Sequence, residues 1–491
     1  MFGWLKSILE NIRNINSSLD EFKKDTVIQS LPSYTYVKRA KKALEKDDYT
    51  GAETILLQAL ELPQKDSLVY KYLGVTYERQ GKFDLAVENY QISADIEPHD
   101  KMVWQRLGFA LISYKEYERA EKSFENADKI QSGNTDTLTG WGMALMKQQK
   151  YSEAREKFTT ASKYNRYNFS AIFLCAVMEI KLEMYDKAES KLAFLANVAP
   201  NESNTFEYAR LYAIKDDYDN AIYYAKKSLE INAKMFPSYV LLGQMYSEKF
   251  DFVNSNENFE LAEKISSDNA EMYLHWGKLL QNFERFDDAK EKLLKALELD
   301  NGNIEIFSQL ALCSAQRNEL EEAENFIEKI QGTEENNKIR LAKAIIHIAK
   351  NEFEEALKCL RSNSENWLFS YYIAKCYEKS ANKVKAKEYY ENSIAINPKY
   401  ISGYVSYVNF LISDDNFEDA QRKLRKALKF NENNSELLNL MFYVSYILVK
   451  DSDCEYNIKE ALAITQKFEN AESFRYPEYK AELEKLLRRI N

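Results

Sequence analysis

Hydrophobic and polar positions follow two periods along this chain, one short and one long. Within short stretches, apolar side chains recur at steps of three and four residues, as in Trp104, Leu107 and Leu111. This spacing places them on one face of an α-helix. The same pattern then returns at a step of 33 or 34 residues along most of the chain. A period of this length predicts one small helical unit stacked many times.

Alanines mark the long period most clearly. An aromatic residue stands three positions before most of them, as Tyr117 does before Ala120, and Ser255 takes the alanine's place inside one doubled step of 68 residues. A small side chain lets two helices approach closely, while a nearby aromatic ring fills the gap beside it. The marker alanines are Ala52, Ala86, Ala120, Ala154, Ala188, Ala221, Ala289, Ala323, Ala356, Ala386 and Ala420.

The units can be written as 34 positions, with the third starting at residue 101. It carries Trp104 and Gly108 at positions 4 and 8, then Ala120 and Phe124 at positions 20 and 24. These residues and their spacing resemble the tetratricopeptide repeat family, over about residues 33–468 and about 13 repeats. The resemblance implies an all-α fold, a right-handed superhelical α-solenoid of antiparallel helix pairs.

We expect four parts in the chain. The tenth unit has Arg340 and Lys343 at normally apolar positions and is followed after only 30 residues, so 331–366 is interpreted as an irregular seam. A repeat array also needs polar-faced caps at its ends. The predicted parts are an N-terminal amphipathic helix (1–30), a first repeat stack (33–331), a second stack (332–468) and a C-terminal capping helix (469–491).

The N-terminal segment leaves several hypotheses open. Its helically spaced apolar stripe suits a cap on the array, a cover for the groove, self-association or an interfacial membrane anchor. Residues 1–25 hold four basic and four acidic side chains, whereas membrane-surface helices usually carry a basic face, so membrane contact is the less favoured reading. The stripe consists of Phe2, Leu5, Ile8, Leu9, Ile12, Ile15, Leu19 and Phe22.

Charge and cysteine usage narrow the class of protein. The net charge of −10 argues against nucleic acid as the principal ligand, because phosphate binding needs a basic excess. Five cysteines without a C-x-x-C pair are typical of a reducing compartment. With no long apolar run and no secretory leader pattern, we expect a cytoplasmic protein.

Candidate chemistry is sparse. The three histidines, His99, His275 and His347, fall in different units, and no metal-binding Cys/His spacing is present. Cys175 and Cys376 fall at apolar helix positions, which favours inert thiols. We therefore predict no catalytic residues, no metal site, no cofactor and no enzymatic activity.

The concave groove implied by the resemblance is the remaining candidate site. In this family, positions 2, 5, 6, 9, 12 and 13 of the first helix line that groove, and apolar side chains there suggest a binding patch. Methionines adapt to varied partners, and Arg106 and Lys147 are placed to orient an acidic flank. The candidate residues are Met102, Arg106, Phe109, Ile112, Met143, Met146, Phe173 and Val177.

These observations predict a scaffold or adaptor that binds protein or peptide partners through the groove. Two alternatives stay open. One is a regulatory or targeting subunit of an enzyme, chaperone or envelope-assembly complex; the other is a membrane-peripheral tether that uses the N-terminal helix. The apolar patch also has an internal explanation, in which the curvature of the array or the N-terminal helix covers it.

Overall fold

The computed structural model describes residues 33–63, 65–330, 336–361, 366–430, 432–452, 455–467 and 474–490. The predicted N-terminal helix lies outside these ranges. Within them the chain is all-α, with 27 helices and no strand. Twenty-six helices form 13 consecutive pairs, named repeats 1–13, and the first and second helix of each pair are named helix A and helix B. One further helix follows the last pair.

The helices have the following bounds. Repeats 1–6 are Tyr34–Leu44 and Tyr49–Leu60, Ser67–Arg79 and Phe83–Ile96, Lys101–Ser113 and Tyr117–Ile130, Thr135–Lys147 and Tyr151–Tyr164, Phe169–Lys181 and Tyr185–Val198, and Glu202–Ile214 and Tyr218–Ile231. Repeats 7–13 are Phe236–Glu248 and Phe252–Ile265, Ala270–Asn282 and Phe286–Leu299, Ile304–Gln316 and Leu320–Glu328, Asn337–Ala349 and Phe353–Leu360, Trp367–Lys379 and Lys383–Ile396, Ile401–Ser413 and Phe417–Leu428, and Ser435–Ser452 and Glu455–Thr465. The final helix is Pro477–Ile490.

Side-chain caps set where many A helices begin. Asp100 accepts hydrogen bonds from the backbone N–H groups of Met102 and Val103, and Asn168 accepts one from the N–H of Ala171. These N–H groups have no partner inside the helix, so an Asp or Asn at this point stabilises the first turn by about 1 kcal/mol. The last position of the 34-residue unit therefore starts the next helix A.

The two helices of a repeat run antiparallel. In repeat 2 the hydroxyl of Ser93 donates to the backbone oxygen of Ser67, while the ring of Tyr90 lies against Gly74 and its hydroxyl donates to Glu78. Early residues of helix A thus meet late residues of helix B. A Cβ on Gly74 would lie 2.6 Å from the Tyr90 ring, so the glycine permits this close approach.

The turn between helix A and helix B uses one left-handed residue. Its φ is +75° at Gly81 and +69° at Lys115, which occupies the same position one repeat later. Left-handed backbone is easy for glycine and costs other residues about 1 kcal/mol or more. Positive φ is also found at the turn residues of other repeats, among them Asp47, Asp216, Asn318, Asn351 and Asp415.

The chain divides into two compact units, Met1–Met245 and Tyr246–Asn491, and the division falls inside helix A of repeat 7. The seam expected at 331–366 stays a prediction. Repeat 10 has the short helix B Phe353–Leu360 there. The final helix packs on repeat 13, where the rings of Tyr446 and Tyr479 stack with centroids 4.3 Å apart.

Candidate functional site

The inner wall of the first unit is the side of its A helices that faces away from helix B. Gly142, at position 8 of repeat 4, fixes the direction, because a Cβ there would lie 2.6 Å from the ring of Phe158 in helix B. Position 6 lies on the opposite side of an α-helix from position 8, and position 9 lies about 100° round from position 8. Positions 6 and 9 of successive A helices therefore line the wall.

The structure places all eight sequence-predicted groove residues on A helices of repeats 3–5, and most are buried. Met102 and Arg106 are half-buried. Most of these side chains are therefore not open to water in the folded chain, as in the internal explanation left open above, and the role of the patch in binding stays a prediction. The buried members are Phe109, Ile112, Met143, Met146, Phe173 and Val177.

Phe109 shows one physical reason for this burial. Its ring meets the edge of Phe124, with centroids 5.0 Å apart. The ring also approaches Gly140 in the next helix A, where a Cβ would lie 2.9 Å from it. Phe109 therefore turns sideways into the contact between repeats 3 and 4, and packs there instead of pointing into an open groove.

Helix A of repeat 4 is buried around almost its entire circumference. It packs against its own helix B, helix B of repeat 3 and the A helices of repeats 3 and 5. Nine of its 13 residues are buried, including Gly140 and Met143 at positions 6 and 9. Consecutive buried residues cover the whole circumference of a helix. The wall side is thus shielded from water as well as the packed sides.

Shielding at positions 6 and 9 varies along the array, and in the second unit it recurs at Gln309 and Leu312 of repeat 9 and at Ala342 and Ile345 of repeat 10. At position 9, the exposed fraction is 7% for Val75, 0% for Met143 and 4% for Val177, in repeats 2, 4 and 5. The side chain of Arg210, at position 9 of repeat 6, is 32% exposed, and Lys38, at position 6 of repeat 1, is exposed. Within the first unit, position 9 is therefore covered in repeats 2–5.

Sequence reasoning missed four members of this wall. They occupy positions 6 or 9 and are buried alongside the predicted residues: Tyr72, Val75, Gly140 and Leu174. Applying the position rule to every unit would have found them. We name repeats 2–5 at positions 6 and 9 the inner wall: Tyr72, Val75, Arg106, Phe109, Gly140, Met143, Leu174 and Val177.

A buried polar group borders the apolar part of the wall. Arg106 Nη1 lies 3.4 Å from Glu78 Oε2, and the same oxygen accepts a 2.8 Å hydrogen bond from the Tyr90 hydroxyl. Burial, with the negative charge of Glu78, holds the pKa of Tyr90 well above its usual value. Burial likewise raises the pKa of Tyr72 to about 12. Both phenols are therefore neutral hydrogen-bonding groups at physiological pH.

Lys147, at position 13 of repeat 4, is the second cationic residue beside the candidate patch. Burial lowers the pKa of its ammonium group. With Arg106, it gives this wall two cationic groups in partly desolvated surroundings. A carboxylate nearby would interact with them more strongly than in open water.

The second unit has a polar inner row that sequence reasoning overlooked. The amide of Gln309 donates to Gln281, whose own amide donates to Gln316. His275 lies near Lys278 and Glu305, and burial lowers its pKa to about 4. Lys278 Nζ is 2.9 Å from Glu305 Oε1. These side chains pair mainly with one another, as a structural network does.

The thiols behave as their positions predict. Cys175, Cys313 and Cys376 are buried, and burial raises the pKa of Cys313 and Cys376 to about 12. In the part of the chain that the structure describes, no group of three or more His, Cys, Asp and Glu side chains is arranged to hold a metal ion. Among these same residues, no helix is both long and apolar enough to span a bilayer.

Residues 37–101 match the family model of the tetratricopeptide repeat. That match covers repeats 1 and 2, and the described helix pairs continue the same unit through repeat 13. Residues 37–101 thus carry the tetratricopeptide repeat, and the described helix pairs form the all-α tandem repeat array that the sequence resemblance implied. Proteins with this repeat are generally non-catalytic scaffolds for protein interactions.

Several solved structures are similar to the chain. One is a chain of the APC/C hetero-tetramer Cut9–Hcn1. The alignment covers 94% of this protein and 97% of the matched chain, at 13% identity and a TM-score of 0.47. A tetratricopeptide repeat protein from Parabacteroides merdae covers 51% of this chain and 97% of its own, at 17% identity and a TM-score of 0.42. For PilF of Pseudomonas aeruginosa, the alignment covers 42% of this protein and 94% of the PilF chain, at 20% identity and a TM-score of 0.37.

Proposed function

We propose that this protein is a non-enzymatic adaptor that binds one or more protein partners on the inner wall of repeats 2–5. The observation that carries the proposal is the row of apolar side chains at positions 6 and 9 of neighbouring A helices, bordered by Met102, Arg106 and Lys147, which are only half-buried and give a partner access to its edge. Such a continuous apolar strip suits an amphipathic helix or an extended apolar segment. Methionine in the strip lets it adapt to different side chains.

Cationic groups beside the apolar strip indicate which charge the partner carries next to its own apolar surface. Arg106 and Lys147 lie at positions 6 and 13 of adjacent A helices. A partner with acidic residues beside its apolar stripe would place a carboxylate near these two cationic groups, in surroundings that strengthen the attraction between opposite charges. The partner we propose is therefore an apolar segment with an acidic flank.

The test compares affinity purification by the full-length chain and two double variants. The wall variant, Met102→Glu with Lys147→Glu, alters two half-buried residues that border the inner wall and leaves the buried packing of Phe109 intact. Val253→Glu with Lys264→Glu is the matched control, because both residues are exposed on helix B of repeat 7. Equal melting temperatures would establish that all three chains fold.

We expect the wall variant to lose its stoichiometric partner and the control to keep it. Retention of the same partner at the same yield by a folded wall variant would contradict the proposal. Recovery of an enzyme in fixed ratio would identify the partner as the catalytic component of a complex, with this chain as its adaptor.

A further inference from the structure

We propose that the second unit is a clasp, in which the turns of repeats 7 and 8 close onto the start of repeat 12 and the interface between repeats 9 and 10 is the hinge. We name the contact between the two sides the closure. Its opening would give a partner access to the inner side of repeats 8–11. The closure consists of Lys249, Phe250 and Glu284 on one side and Lys399 and Ser402 on the other, all within the unit Tyr246–Asn491.

Two side chains from the start of repeat 12 contact turns that lie 118 and 150 residues away in the sequence. Lys399 Nζ donates a 3.1 Å hydrogen bond to the backbone oxygen of Lys249 and lies 5.4 Å from the centre of the Phe250 ring. The hydroxyl of Ser402 donates to Glu284. A repeat array is held together by contacts between neighbouring repeats. Contacts between repeats 7 or 8 and repeat 12 are therefore additional to the stacking of the array.

The packing of repeat 10 on repeat 9 explains why these distant repeats meet. Helix A of repeat 10 packs mainly on helix A of repeat 9 and only slightly on helix B of repeat 9, whereas most other A helices pack mainly on the preceding helix B. Because the A helices form the inner side, bringing two of them together bends the array inward. The bend falls within 331–366, the segment whose sequence is irregular.

Polar side chains connect the A helices at this bend. Lys278 Nζ and Lys338 Nζ, from repeats 8 and 10, lie 2.9 and 2.5 Å from the same oxygen of Glu305 in repeat 9. The amide of Asn336 donates a 2.8 Å hydrogen bond to the hydroxyl of Ser308. Ion pairs between partly exposed side chains contribute little to stability and can break and form again. The interface between repeats 9 and 10 is therefore suited to a hinge.

The residue types at the two turns agree with a role in the closure. Phe250 and Glu284 are the left-handed turn residues of repeats 7 and 8, with φ of +55° and +59°. Glycine, asparagine and aspartate are the residues that favour this conformation. Phenylalanine and glutamate instead offer a ring to the Lys399 ammonium group and a carboxylate to the Ser402 hydroxyl, and a glycine would offer neither.

The bend also brings together the inner sides of repeats 9 and 11. Burial raises the pKa of Tyr372, in repeat 11, and its hydroxyl is hydrogen-bonded to Gln316 of repeat 9 and lies close to Glu284. The amide row of Gln309, Gln281 and Gln316 thus continues to Tyr372. Opening the closure would separate Tyr372 from this row. The freed amide and hydroxyl groups could then donate to and accept from the backbone of a polypeptide segment.

The closure is suited to opening because its side chains are exposed. Lys399, Phe250 and Glu284 all lie at the surface, and contacts between such side chains contribute little to stability. Weakly held contacts open more often than the core of a protein. A partner that binds only the open form would shift the population towards it. The closure would thus control access to the inner side of repeats 8–11, independently of binding on repeats 2–5.

Photo-crosslinking in the full-length chain tests whether the closure forms. The variant Phe250→p-benzoylphenylalanine places the probe beside Lys399, and Val253→p-benzoylphenylalanine places it on an exposed position of the following helix B as the control. We expect the first probe to crosslink to peptides that contain residues 398–402 of the same chain, and the control to give few such products. Mixing ¹⁵N-labelled and unlabelled chains distinguishes contacts within one molecule from contacts between two.

Hydroxyl-radical footprinting tests whether the closure controls access. The closure variant is Lys399→Ala with Ser402→Ala. The matched control is Lys383→Ala with Ser380→Ala, because Lys383 pairs with Asp414 and Ser380 donates to a backbone oxygen of its own helix, outside the closure. We expect oxidation of Tyr372, relative to an exposed tyrosine of the first unit, to rise about threefold or more in the closure variant and to stay unchanged in the control.

Three results would overturn the proposal. Crosslinks from the Phe250 probe that reach only repeats 6–8, or only a second chain, would show that the closure does not form in solution. Unchanged oxidation of Tyr372 in a closure variant with the melting temperature of wild type would show that the closure does not control access. An equal rise in the control would show that the effect is not specific to the closure. If the closure variant melts earlier than wild type, Ser402→Ala alone takes its place, because it removes a single hydroxyl group.

Discussion

Gly108 lies directly against the ring of Phe124, so that a Cβ added to the glycine would be 2.7 Å from Phe124 Cε2. Phe124 is completely buried, and its ring has little room to move. The two residues belong to helix A and helix B of the same repeat. Their contact shows how a missing side chain on one helix accommodates an aromatic ring from the other.

We predict that Gly108→Val lowers the free energy of unfolding by about 2 kcal/mol, because the added atoms would force the Phe124 ring or the helices apart. Gly302→Ala is the control, since the nearest atom to its added Cβ is Asp300 Oδ1 at 4.0 Å. Urea unfolding measures both. Equal stability of the Gly108 variant and wild type would mean that this contact does not limit the packing.

The left-handed turn residues predict that adding a glycine and removing one change the stability in opposite directions. Lys115→Gly relieves a φ of +69° and should stabilise the protein by about 1 kcal/mol. Gly81→Ala places a side chain at φ +75° in open space and should destabilise it by a similar amount. Thermal unfolding of the two single variants checks this pair, and a shift of both in the same direction would contradict the strain argument.

We predict that the buried His275 contributes one part of the pH dependence of the free energy of unfolding. Its folded pKa of about 4 lies below the usual value of 6.5, so the unfolded chain binds a proton between these values that the folded chain does not. Stability from this group is therefore lost as pH falls from 6.5 towards 4, by about 1 kcal/mol at pH 5.5.

His275→Gln should remove that part of the pH dependence, whereas His99→Gln, at an exposed loop position, should leave it. Chemical unfolding at pH 7.5 and pH 5.5 measures the difference for each chain. The same loss of stability on acidification in wild type and the His275 variant would show that this histidine is not kept neutral by burial.

Cysteine labelling tests the burial of the repeats directly. Cys359 is partly exposed, whereas Cys175, Cys313 and Cys376 are buried. Burial also raises the pKa of these three thiols, which lowers the fraction of reactive thiolate. We expect iodoacetamide to label Cys359 at least about tenfold faster, as followed by peptide mass spectrometry, and comparable rates would contradict the described packing.

The sequence predicts the fold well because its main contacts recur in every repeat. Ala120 is completely buried and Phe124 fills the space beside Gly108, as the spacing of small and aromatic residues indicates. The left-handed conformation of Lys115 was not predicted, because lysine carries no turn signal. That conformation is imposed by the two helices that it joins.

The candidate site was predicted less completely. Position rules identified the side of helix A on which Met143 and Val177 lie, but they give no information about what covers that side. The sideways packing of Phe109 on Gly140 depends on two different repeats and is absent from the pattern of either one alone. The sequence also gave no sign of the amide row that includes Gln309, because its side chains come from repeats 8 and 9 and meet only in the folded array.

Crosslinking mass spectrometry on the native complex of the full chain with its co-purified partner tests the central claim most directly. The account predicts partner crosslinks to lysines on the A helices of repeats 3–5, namely Lys101, Lys147 and Lys181. Partner crosslinks confined to helix B lysines such as Lys122 and Lys163 would contradict it, because they would place the binding surface on the other side of the array.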